Sequence, residues 1–165
     1  MSHQPVIDGL EFARAGSRLQ GSWPVAGFAR LRDVLHSDEG TLRYELHGVP
    51  QEQGYPALRL KVEGALQLVC QRCLAALELP LQIEALLRLA ATQADADAEP
   101  LEADGPETIV AGREMPVKTL VEDEVLLALP IAPRHPDCAG AQKSAAGARQ
   151  RPFAELRGLV GGQKH

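Results

Sequence analysis

Residues 58–70 read LRLKVEGALQLVC and residues 77–89 read LELPLQIEALLRL; the alternation running through both decides the fold. In the first stretch Leu58, Leu60, Val62, Leu66, Leu68 and Cys70 share one parity, and Arg59, Lys61, Glu63 and Gln67 take the other. Successive side chains of a strand point to opposite faces, so this pattern predicts a strand with one dry and one wet side. Gly64 keeps the phase and marks a bend or a close backbone approach, not a break. In the second stretch Leu77, Leu79, Leu81, Ile83, Ala85, Leu87 and Leu89 face inward. Pro80 falls on the outward parity, which predicts a sheet edge for part of that strand.

Working outward, residues 41–47 alternate in the same way, with Leu42, Tyr44 and Leu46 against Arg43, Glu45 and His47. A loop over 50–56, carrying Gly54 and two prolines, returns the chain into the strand at 58. Three alternating strands with short connections predict an antiparallel meander that is wet on one face. Cys70 and Cys73 then lie at a hairpin end.

Two segments carry helical spacing. Residues 25–36 place Phe28, Leu31, Val34 and Leu35 on one face and predict a short amphipathic helix. Residues 116–129 predict a second, opened by Pro116 and closed by Pro130. Val117, Leu120, Val121, Val125 and Ala128 form its apolar stripe, with Glu124 in the middle; Glu122 and Asp123 fall outside it and read as solvated. The expected architecture is a single α+β domain over 1–138, an antiparallel sheet packed by two to three helices. Residues 94–106 are acidic and read as a solvated loop, with a short strand over 107–111. Residues 139–151 read as a flexible basic linker and 152–165 as a C-terminal docking segment.

Bulk properties narrow the function. A chain of 165 residues accommodates one domain with a real core. Aromatics are only 4%, so that core rests on Leu, Val and Ala. A net charge of −5 argues against a DNA-binding protein or one that coats nucleic acid non-specifically, because that binding runs on Lys and Arg neutralising phosphates. No apolar run has membrane-spanning length and no leader pattern opens the chain, so the expected location is the cytoplasm, with no membrane partner. The three cysteines are then reduced thiols or metal ligands.

Cys70, Cys73, His135 and Cys138 give a Cys-x-x-Cys and a His-x-x-Cys. Thiolates and imidazole at that spacing can wrap tetrahedral Zn²⁺, because two intervening residues let one turn supply adjacent corners. The half-sites are more than sixty residues apart, and thiols that merely pack a turn, with no cofactor, are the favoured reading. A thiol redox enzyme built on Cys70 and Cys73 is the alternative of a different class. Redox pairs use a helix N-terminus, and strands flank this one. No phosphate loop, nucleophile elbow or metalloprotease motif is present, so the chain reads as a non-enzyme.

Arg72 continues the inward parity of its strand and Glu124 sits in an apolar stripe, so a structural Arg72–Glu124 ion pair is expected to tie hairpin to helix. A helix turned so that Glu124 reaches solvent is the competing expectation. Basic residues gather toward the C-terminus: Arg134, Lys143, Arg149 and Arg151, beside the apolar Phe153 and Leu156 of the tail. These six are candidates for contact with RNA or a protein partner.

Taken together, CQRC at 70–73, VEDEVLLALPIAPRHPDC at 121–138 and PFAEL at 152–156 resemble the bacterial YceD family. Some relatives carry a denser cysteine cluster after the helix, where this chain has only His135 and Cys138. Arg151 stands where relatives tend to have a small polar residue. The resemblance implies a non-enzymatic factor supporting synthesis, processing or stability of 23S ribosomal RNA. Its implied partner is ribosomal RNA or a ribosome-assembly or RNA-processing protein; an adaptor that docks protein without touching RNA is the alternative.

Overall fold

The structure, a computed structural model, describes residues 4–52, 54–98 and 105–138. Its elements follow in chain order: β1 (Val6–Ile7), α1 (Gly9–Arg14), β2 (Arg18–Pro24), β3 (Leu35–Ser37), β4 (Thr41–Glu52), β5 (Tyr55–Val69), β6 (Ala76–Ala90), α2 (Gln93–Asp97), β7 (Glu107–Val110), β8 (Met115–Pro116) and α3 (Val117–Ala128). The main sheet has the order β2-β4-β5-β6-β7, with β3 extending the β4 side along β5. The short strands β1 and β8 pair with each other.

The meander read from the sequence is present as β4, β5 and β6. Leu46 faces Leu60, and Leu60 faces Ala85, so the apolar parities of all three strands stack on one face. Leu42, Leu46, Leu58, Leu60, Leu66, Leu68, Val62 and the α3 residues Val117, Val121 and Val125 are fully or almost fully buried there. Gly64 does mark a close approach, since a Cβ on it would meet the Thr41 carbonyl at 2.8 Å and Leu42 at 2.7 Å. Pro80 lies on the stretch of β6 that pairs only with β5, because β7 reaches only residues 87–90.

Several expectations are corrected. Residues 25–36 do not form a helix. They make two 3-10 turns, Val25–Gly27 and Arg32–Val34, and then β3. Val25, Phe28 and Leu31 are buried at a spacing of three, which a 3-10 turn satisfies as well as an α-helix does. Gly27 weakens a helix at this point, and the open end of β5 captures Leu35 and Ser37 through pairing with Leu68 and Gln67. The sheet is mixed rather than wholly antiparallel, because β7 joins β6 in parallel. The acidic stretch begins as α2, held by a capping box in which Thr92 and Asp95 bond reciprocally. The prolines of the predicted loop over 50–56 lie within the strands, so the β4–β5 turn is tighter than expected.

Three N-terminal elements, β1, α1 and β2, had no sequence reading. Strand β2 pairs with β4 over its whole length and brings Trp23 to stack on Tyr44 at 4.3 Å between ring centroids. Helix α1, capped by Asp8 onto the Glu11 amide, packs where β4 has Gly48; a Cβ on Gly48 would collide with the Phe12 and Ala13 backbone. Residues 139–151 and 152–165 lie outside the described residues.

Candidate metal centre

Strand β5 ends at Val69 and β6 begins opposite it at Ala76, leaving six residues to turn the chain. The Cys70 amide donates to the Ala75 carbonyl at 2.9 Å, and the Leu74 amide donates back to the Cys70 carbonyl at 2.9 Å. Leu74 takes a left-handed backbone, φ 62°, which is the strained residue that closes the turn. This knuckle aims the Arg72 and Cys73 amides at the Cys70 sulfur. The first half-site is thus built by the hairpin's own backbone.

The second half-site arrives from α3. That helix stops at Ala128 because Pro130 cannot continue it, and residues 129–138 fold back as an arm across the hairpin end. The Gln71 amide donates to the Pro133 carbonyl at 2.8 Å. The Cys138 amide donates to the His135 carbonyl at 3.3 Å, closing the His-x-x-Cys turn.

Together these turns place Cys70 Sγ 3.8 Å from Cys138 Sγ, and Cys73 Sγ 3.5 Å from His135 Nδ1. All four ligand atoms lie within 4.8 Å of one another. A tetrahedral ion with Zn–S of about 2.3 Å and Zn–N of about 2.05 Å needs edges of about 3.8 Å and 3.6 Å; the Cys70–Cys138 and Cys73–His135 edges fit, while the cluster as a whole, spanning up to 4.8 Å, is wider than a closed tetrahedron. His135 Nε2 lies 2.9 Å from the Ala76 carbonyl. A carbonyl only accepts, so Nε2 carries the proton and Nδ1 presents its lone pair to the cluster, the tautomer a metal ligand requires.

The electrostatics fit a cation as well. Burial pushes the Cys70 thiol up, but amide donors from Cys73, Arg72 and His135, with the Cys73 side chain, outweigh it and hold the thiol at about 5. Cys138 is pushed up to about 11, first by burial and then by its sulfur neighbours Cys73 and Cys70. Cys70 and Cys138 lie too close to ionise together unless a cation sits between them. The donor set, three sulfurs and one imidazole, suits a soft or borderline divalent ion. Cys73, His135 and Cys138 line a shallow surface pocket with Pro136 and Asp137, which supplies an entry path.

The other anticipated residues divide. Arg72 is exposed, because the chain leaves the strand at Val69 and the strand parity no longer governs it. Glu124 is half-buried; burial, then Glu107 and Asp123, raise its carboxyl above the usual range. No hydrogen bond or ion pair joins Arg72 to Glu124 among the described residues. The pair that ties the helix down is one the sequence reading assigned to solvent. Glu122, 9% exposed, accepts from the Arg30 backbone amide at 2.8 Å and from Arg30 Nε at 3.2 Å. Asp123 takes the other side of the same guanidinium at 2.6 Å. The missed signal was the flank of the apolar stripe: Glu122 follows Val121 and meets the segment around Phe28. Arg134 is exposed on the arm. Lys143, Arg149, Arg151, Phe153 and Leu156 lie outside the described residues.

A sheet-dominated α/β body with a Cys3His group at the junction of a hairpin and a helix defines a small protein with a candidate metal centre. Residues 58–159 match the family described as large ribosomal RNA subunit accumulation protein YceD, and the chain belongs to that family. The matched span contains all four candidate ligands and α3. No curated protein and no solved structure matches the chain. No helix among the described residues is long and apolar enough to cross a membrane.

Proposed function

We propose that this protein is a cytoplasmic, non-enzymatic factor that supports synthesis, processing or stability of 23S ribosomal RNA, with one structural Zn²⁺ held by Cys70, Cys73, His135 and Cys138. The family match over 58–159 carries the reading of the RNA. The convergence of the four ligand atoms carries the reading of the metal. In such a site a bound zinc ion supplies structure, since four protein ligands leave no open coordination position for a substrate. Cys70 is buried, which speaks against a Cys70–Cys73 dithiol that must meet a disulfide substrate. The partner is ribosomal RNA or a protein of ribosome assembly or RNA processing, with exposed Arg134 and the basic residues 143, 149 and 151 as contact candidates.

The test is a clean deletion strain assayed for 23S relative to 16S ribosomal RNA at several growth rates, complemented with wild type and with C70S. A lowered ratio restored by wild type is expected, and a normal ratio removes the functional reading. Metal analysis of purified protein should find one zinc per chain in the wild type and less in C70S. The protein-docking adaptor is separated from the RNA-contacting factor by in vivo RNA crosslinking.

A further inference from the structure

We propose that the Cys3His centre is a clip for the arm 129–138 and not a staple of the whole fold. Metal occupancy switches the arm between a seated and a released state while the sheet stays folded. The proposal rests on the metal reading above and adds what the metal does.

The argument starts from what the arm lacks. Among the described residues the apolar core draws on the strands, α1, the 25–31 segment and α3, and Leu129 only packs at its margin. No residue of 130–136 is buried, and Ile131 is fully exposed at 105%. Pro130, Pro133 and Pro136 have no amide proton, so at these three positions the arm cannot donate to a neighbouring strand. Among the described residues, its hydrogen bonds and ligand contacts to the body converge on the hairpin end. They are the Gln71–Pro133 bond, the His135–Ala76 bond, the His135 amide on Cys70 and the sulfur and imidazole contacts themselves.

The two half-sites therefore differ in kind. Cys70 and Cys73 stand on a turn that its own hydrogen bonds and the Val69–Ala76 pair already close. His135 and Cys138 ride on an arm with little else to seat it. Where few buried apolar contacts hold a segment, it opens locally at low cost, and a ligand that bridges it to a formed surface closes it. Because the chain continues from Cys138 to His165, the seated arm also fixes the point from which the C-terminal residues depart.

The experiment compares full-length protein loaded with one Zn²⁺ and the same protein after chelation under reducing conditions, by amide hydrogen exchange with far-ultraviolet circular dichroism alongside. Exchange in peptides covering 129–138 should rise by at least about tenfold on chelation. Amides of 42–46 and 58–68 should stay protected, and the sheet signal should persist with a single cooperative unfolding transition. C138A should show the released pattern even with Zn²⁺ present. Loss of the sheet signal on chelation would make the metal a staple, and unchanged exchange in the arm would mean it is seated without metal; either result overturns the proposal. Protein that takes up no Zn²⁺ at all removes the metal reading and the clip together, which metal analysis distinguishes from the two failures above.

Discussion

Replacing Glu122 with alanine removes two of the acceptors that hold the segment around Phe28 to α3, and leaves Asp123 on the Arg30 guanidinium and Lys118 on the Gly27 carbonyl. The larger loss is at the backbone. The Arg30 amide, bonded to Oε1 at 2.8 Å, loses a charged acceptor in a part-buried setting. A hydrogen bond to a charged group contributes about 1.5–3 kcal/mol net, so Glu122→Ala should cost about 2–3 kcal/mol. For a domain of this size that lowers Tm by roughly 4–12 °C. Arg30→Ala should cost less, because it leaves the backbone bond in place and removes only a guanidinium that is half in water. Glu122→Gln should fall between wild type and alanine, since its carbonyl still accepts from the amide. Trp23 is the sole tryptophan and is 8% exposed against Tyr44, so urea titration followed by its fluorescence reports the sheet directly. An Arg30→Ala cost equal to that of Glu122→Ala would place the energy in the ion pair and refute the reasoning. A Glu122→Ala effect under about 0.5 kcal/mol would refute the burial itself.

Glu124→Gln should stabilise the protein at pH 7 and not at pH 4. The raised carboxyl binds its proton more tightly in the folded state, so stability is lost as pH rises through that value, and a neutral amide escapes the loss; a variant less stable than wild type at pH 7 would contradict this. Gly48→Ala should cost about 1–3 kcal/mol by urea titration, because the new methyl meets the α1 backbone instead of a side chain that can move. Zinc uptake in weak buffer at pH 7.5 should release a proton from Cys138, whose thiol stands at about 11 without metal. Cys138→Ala should release one proton fewer per metal bound.

The meander was legible because its signal is local: Leu58 to Leu68 and Leu77 to Leu89 state their faces residue by residue, and burial follows that parity. The candidate ligand set was legible for the same reason, as two short motifs. Their convergence was not, because Cys73 and His135 are joined by the path of β6, β7 and α3, which no spacing rule records. Residues 25–36 failed because a spacing of three serves 3-10 turns and helices alike, and the free end of β5 decided the outcome. Glu122 failed because a helical wheel identifies the stripe but not what packs on its flank. Arg72 failed because strand parity was carried one turn too far.

Helix α3 is thus fixed from two directions by groups of different chemistry. Near its start Lys118 donates to the Gly27 carbonyl, and Glu122 and Asp123 hold Arg30. Beyond its end the arm carries His135 and Cys138 to the hairpin. Between them Val117, Val121 and Val125 anchor the helix in the core on their own account. If those valines seat α3 regardless of either tie, the ties are energetically separate, since sites without shared partners add to within about 0.5 kcal/mol. The cost of Glu122→Ala should then be the same in zinc-loaded and chelated protein, each measured by urea titration. A larger cost in the chelated protein, beyond that margin, would mean that the metal steadies the whole helix and that seating the arm is felt as far as Arg30.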